Sequence, residues 1–158
     1  MTQSNVAAPA QDPVDPDPAW WDAWRGILFA GADVLRAVEP LLQEHSGLSM
    51  TFMDVLGRLH DAPGQRMRMQ ELQERSLFTR SGMTRLIDRV ERAGFARRER
   101  VPGDRRGVYV VLTPEGSEAF ETALTKHRED VQRVFEHRLT EAQHRAVADA
   151  LASFWHDE

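Results

Sequence analysis

TRSGMTRLIDRVERAGFARRERVPGDRRGVYVVLTPEG (residues 79–116) changes its hydrophobic period partway along, and that change decides the fold. From residue 79 to 93 the period is helical. At about 100° per residue, Met83, Leu86, Ile87 and Val90 share one side, while Ser81, Thr84, Arg85, Asp88 and Arg92 share the other. Thr79 is a good cap and Gly94 a stop. Residues 95–101 and 107–113 then flank PGDRR (102–106), and VYVVL in the second run favours a strand, so the pair reads as a β-hairpin with a Pro-Gly-Asp tip. Thr113-Pro114-Glu115 restarts a helix with a cap, a proline at the first helical position and an acid in the first turn.

Working upstream, residues 69–75 read as a short helix around Leu72, joined to the Thr79 helix by the tight link Ser76-Leu77-Phe78. Two such helices form a helix-turn-helix. Arg68 sits where a capping Ser or Thr is expected. Residues 19 to about 45 carry one apolar stripe, including Trp20, Trp24, Ile27, Leu28, Val34, Leu35, Val38, Leu41 and Leu42, which predicts a long amphipathic helix. Pro40 should kink it or split off its last turn, and Gly47 should stop it. Ser49 caps a second helix with Phe52, Val55, Leu56 and Leu59 inward, ended by the turn DAPG (61–64).

Downstream, the helix begun at Thr113 has the stripe Phe120, Leu124, His127, Val131, Val134 and Phe135 and ends near Arg138. Thr140 and Gln143 form a capping box for a last helix with Ala146, Val147, Ala150, Leu151 and Phe154 inward. Residues 1–18 hold four prolines and almost no large apolar side chain; they cannot offset their ordering entropy and are expected to be disordered.

Composition narrows the function. The chain has 158 residues, 41% hydrophobic and 28% charged, which is room for one globular domain. It has no cysteine, which excludes disulfides, thiolate zinc sites, iron–sulfur clusters and thiol redox switches. No apolar run approaches the roughly 18 residues of a membrane span. No Lys or Arg precedes Arg25, unlike a secretory signal, so a cytoplasmic protein is expected. The net charge of −5 hides a segregation. Residues 1–57 carry −6, residues 58–106 carry +6 from 13 Arg against 7 acids, and residues 107–158 carry −5. Charge blocks can be mere solvated faces; an anion-facing middle on an acidic body is the alternative, and the motifs must decide.

The helix over residues 79–93 has what a groove-reading helix needs, an anchored apolar side and a side of short hydroxyls and Arg. An ordinary surface helix has the same stripe, but Gly82 and Thr84 are poor choices for one. At the hairpin tip, Asp104 can hold the guanidinium of Arg106, and an Arg so held suits a narrow, electronegative minor groove; a plain polar turn is the alternative.

Three segments carry a resemblance that covers about residues 20–155. GDRRGVYVVLTPEG (103–116) matches the wing signature of the MarR family of bacterial transcription regulators, with its Asp-x-Arg, hydrophobic strand, Leu-Thr and Gly. SGMTRLIDRVERAGFARR (81–98) is similar to that family's recognition helix and first wing strand, and LSMTFMDVLGRLHDAPG (48–64) resembles its second helix. The resemblance implies a mostly α (α+β) fold: a winged helix-turn-helix over residues 49–113 with dimerisation helices 19–46 and 114–157, all in one domain spanning 19–158. It implies a sequence-specific DNA-binding regulator, a homodimeric repressor of a palindromic operator in double-stranded DNA, with half-sites about 10 base pairs apart. Carried over by position, Arg80, Ser81, Thr84 and Arg85 meet the major groove, and Arg106, oriented by Asp104, meets the minor groove. Arg89 and Arg105 become phosphate contacts. Independently, three long amphipathic helices exceed what a small winged helix covers, so their stripes need another surface.

Many members of that family release DNA on binding a small aromatic or phenolic anion. Trp20, Trp21 and Trp24, with Asp54 and Arg85, are similar to the Trp–Asp–Arg set of urate-responsive members, which implies an effector site at Trp20, Trp24, Asp54 and Arg85. Packing is the commoner job of a Trp on an apolar face. The six His show no i, i+4 pair, which argues against a zinc site, and no metal or other cofactor is expected. His127 reads as a satisfied core or interface residue. The chain lacks G-x-S-x-G, G-x-x-x-x-G-K and H-E-x-x-H, which argues against an enzyme. The rival reading is a winged-helix protein-interaction module without DNA binding; Arg106 and the basic middle argue against it.

Overall fold

The computed structural model describes residues 18–74, 80–104 and 106–154, apart from the side chains of Arg80 and Ser81. The proline-rich tail up to residue 17, the Ser76-Leu77-Phe78 link, the Thr79 cap and Arg105 lie outside the described residues. The element order is α1 (Ala19–Ser46), α2 (Met50–Asp61), β1 (Arg66–Arg68), α3 (Met69–Glu74), α4 (Arg80–Arg92), β2 (Ala96–Arg100), β3 (Val108–Leu112), α5 (Pro114–Phe135) and α6 (Glu141–Leu151). The strands form one antiparallel sheet in the order β1-β3-β2. The chain is therefore mostly helical with a small sheet, as expected.

The chain divides into two compact units, Met1–Asp33 and Val34–Glu158, with the boundary inside α1. In the first unit, every residue from 19 to 33 is exposed. The Trp20 and Trp21 rings meet edge to face at 5.6 Å.

In the second unit α1 continues through Pro40 to Ser46 and does not split there. Val38 and Leu42 on either side of the proline are buried, and the Glu39 carboxylate accepts the Met50 N–H at 3.0 Å, so tertiary contacts hold the turn across the missing hydrogen bond. Gly47, at φ +70°, ends the helix in the left-handed region. Ser49 caps α2 as expected, but the inward set is Met53, Val55, Leu56 and Leu59, with Phe52 only half-buried. These residues join Leu72 of α3, the apolar side of α4, Val110 and Leu112 of β3 and Phe120 of α5 in one core.

β1 was not foreseen. Its three residues pair with β3 in the register Arg66↔Val111, Met67↔Val110, Arg68↔Tyr109, and Met67 alone points inward. Thr113 joins two elements: its hydroxyl donates to the Gly94 carbonyl at 2.7 Å and accepts the Gly116 N–H at 3.0 Å, capping α5. A Cβ on Gly116 would stand 2.0 Å from the Phe95 carbonyl oxygen, so this close approach requires glycine. α6 has its capping box, but Ala146, Val147, Ala150 and Phe154 are exposed and Leu151 half-buried, contrary to the inward stripe expected. α5 covers them only in part: Val147 borders an open groove with Val131 and Phe135, and the Phe135 ring stacks on His144.

Candidate nucleic-acid interface

α4 has the split the sequence implied. Met83, Ile87 and Val90 are fully buried and Leu86 nearly so, while Thr84, Arg85 and Arg89 are exposed. Its attachment to the sheet comes from Arg98 of β2. That guanidinium donates to Glu91 at 2.5 Å and to Asp88 at 2.7 Å, and the Arg98 backbone N–H donates to the other Glu91 oxygen at 3.0 Å. Asp88, read from the sequence as part of the groove-facing side, is thus committed to the strand. Arg89 is exposed and lies over the Phe52 ring, its guanidinium carbon 5.2 Å from the centroid.

The wing turn is built around Asp104. One carboxylate oxygen accepts the backbone N–H groups of Arg106 and Gly107, each at 3.0 Å, and the other accepts Arg68 Nη1 at 3.1 Å. These bonds, the Arg106 N–H foremost, hold the Asp104 carboxyl below the usual carboxylate range. Asp104 therefore orients Arg106 through its backbone; the expected grip on the guanidinium is not what the carboxylate does. The turn itself brings two amides to that one oxygen. Gly103 takes φ +79° at the tip, and a Cβ on Gly107 would stand 2.6 Å from the Asp104 carboxylate.

Arg106 is exposed, and with Thr84 of α4 it lines one open cleft of about 410 Å³. Arg68, Gln70 and Gln73 from β1 and α3 line the same cleft. None of these three was singled out as a site residue; the signal for Arg68 was its odd place ahead of a helix. Arg80, Ser81 and Arg105 cannot be set against this geometry, since their side chains lie outside the described residues.

The effector residues fall in separate units: Trp20 and Trp24 in the first, exposed, Asp54 and Arg85 in the second. Asp54 accepts Arg58 Nε at 2.9 Å. Among the described residues no group of three or more His, Asp or Glu could hold a metal ion. His127 is not the satisfied residue expected: its Nδ1 is buried without a partner among the described residues, and burial pushes its pKa down. No helix among the described residues is long and apolar enough to cross a membrane.

A family model described as MarR family matches residues 46–107, the stretch that holds α2, the helix-turn-helix, β2 and the wing tip, and ends just before β3. The chain spans 58% and 64% of the length of two curated Bacillus subtilis relatives, each 34% identical where aligned; the second, the HTH-type transcriptional repressor YetL, aligns over 66% of this chain. Among solved structures, the MarR family regulator Sco3205 of Streptomyces coelicolor, in complex with DNA, is 28% identical, with a TM-score of 0.74 and 87% of each chain covered. AbsC of the same organism, also a MarR family regulator, is 30% identical with a TM-score of 0.73, covering 84% of this chain and 89% of its own. The chain belongs to the MarR family of transcriptional regulators, which are DNA-binding proteins and not enzymes.

Proposed function

We propose that the chain is a homodimeric repressor that reads a palindromic operator, with α4 in the major groove and the wing in the adjacent minor groove. The observation that carries this is the shared cleft, in which a wing turn fixed by Asp104 sets Arg106 across from Thr84 of α4. Two groove-reading elements with a cleft between them suit the phosphate strand that separates a major from a minor groove. Arg80, Ser81, Thr84 and Arg85 serve the major groove, Arg106 the minor groove, and Arg89 and Arg105 phosphates. The related Sco3205 is a DNA complex and YetL is a repressor, which supports the same role here.

Residues 49–113 form the winged helix-turn-helix in this reading, and residues 19–46 and 114–157 the dimerisation region. Exposed Trp20, Trp24, Leu28 and Phe29 on α1, with Val147 and Phe154 toward the chain end, support a second copy as the cover. A planar aromatic anion bound by Trp20, Trp24, Asp54 and Arg85 releases the operator by favouring another dimer geometry.

Mobility shift with the DNA upstream of the chain's own gene tests the core of this. Binding should fall steeply with salt, and Arg106→Ala should weaken it about tenfold or more. Wild-type affinity in that variant at physiological salt overturns the wing assignment. Urate and salicylate titrated to millimolar concentration without effect would remove the effector site.

A further inference from the structure

Arg68 occupies the position just before α3 where a short polar cap is the ordinary choice, and its side chain goes elsewhere. The pairing of β1 with β3 sets Arg68 opposite Tyr109. From there its guanidinium lies 5.7 Å from the Tyr109 ring centroid and donates to Asp104, 36 residues further along the chain. Asp104 divides its two oxygens between the turn amides on one side and Arg68 on the other. A single carboxylate thus ties the wing tip to the strand from which α3 starts.

Both partners of this pair are about half exposed, and an exposed ion pair does little for global stability. Its effect falls instead on the geometry of the tip. The cleft is lined by Arg68, Asp104 and Arg106 on one side and Thr84 on another, so a tip held to Arg68 is held where it borders that cleft. A strand of DNA phosphates lying in that cleft meets Arg106 in register only if the tip is already placed, which lowers the ordering cost of binding.

We propose that Arg68 is a positioning residue for the wing: by holding Asp104 it sets the distance between the hairpin tip and α4, and so delivers Arg106 to the minor groove. This rests on the DNA-binding reading above, and it makes Arg68 act through Arg106 and not as an independent phosphate contact.

The test uses a duplex selected by the wild-type chain from a library with a randomised centre. Affinity and its salt dependence are measured for Arg68→Ala, Arg106→Ala and the double variant. Arg68→Ala should weaken binding about threefold to fivefold, and the double variant should be within about twofold of Arg106→Ala, with the same salt slope. Asp104→Asn gives a second readout, because Asn keeps an acceptor for the two turn amides but loses the charge that pairs with Arg68. Removing a negative charge beside DNA tightens binding by electrostatics alone, whereas a positioning role requires weaker binding.

Wild-type affinity in Arg68→Ala, losses that multiply in the double variant with the salt slope falling by about 0.9, or tighter binding by Asp104→Asn would each overturn the inference while leaving Arg106 its role. An inert Arg106→Ala would overturn the wing reading and this inference with it.

Discussion

α4 and the first half of α1 carry apolar stripes of similar regularity and meet opposite fates. In α4, Met83, Leu86, Ile87 and Val90 all vanish into the core. In residues 19–33, Trp20 keeps 68% of its surface exposed and Phe29 keeps 61%. α6 repeats the second outcome with Val147 and Phe154. Periodicity states that a face needs cover; it does not state which molecule supplies it. Where the chain itself supplies the cover, stability belongs to the monomer. Where it does not, stability depends on whatever arrives.

That contrast can be broken by experiment. Ile87→Ala should cost about 2–5 kcal/mol in denaturant unfolding, by the same amount at every protein concentration. The paired change Trp24→Ala with Leu28→Ala should instead weaken self-association by about 2 kcal/mol or more, seen by sedimentation as a shift toward monomer at micromolar concentration. An unchanged association would mean that this stripe is not the dimer surface and would leave the two helices without the distinction drawn here.

Smaller effects sharpen the comparison. Thr140→Ala removes the capping box of α6 and should cost about 1 kcal/mol. A loss of that size in thermal melts means α6 folds with the core despite its exposed stripe; no loss means it is independent of it. The smallest effect is a pH dependence at His60. Its hydrogen bond to Asp61, then that to Glu121 of α5, raise its pKa above the ordinary 6.5. A raised folded-state value contributes stability that is fully present below pH 6.5 and is lost as pH climbs through the folded pKa. Melting midpoints of wild type and His60→Gln should therefore converge across that window; parallel curves would mean that the Asp61 and Glu121 bonds to His60 add no stability.

Much of the site was readable because its signals are local. Thr113, Pro114 and Gly116 mark the start of α5 within four residues, and the stripe of α4 within one helix. What escaped was the partner of each polar side chain. Asp88 faces β2 through Arg98 and Asp104 meets Arg68, because those partners come from other elements brought alongside by the fold; at Asp104 the turn's own amides also take the oxygen expected to hold the Arg106 guanidinium. β1 escaped for a related reason: three residues, Arg-Met-Arg, have no pattern of their own and become a strand only when β3 offers an edge.

Caps and hydrophobic period by themselves determined a helix-turn-helix, a hairpin and surplus amphipathic helices, since each depends on residues close together in the sequence; the winged helix-turn-helix was implied by the resemblance of residues 48–64, 81–98 and 103–116. Only the tertiary structure decided that α1 runs unbroken through Pro40, that β1 completes the sheet and that Arg68 ends beside Asp104. Those outcomes turn on contacts between distant segments, where a weak local preference yields to burial or to a charge that needs a partner.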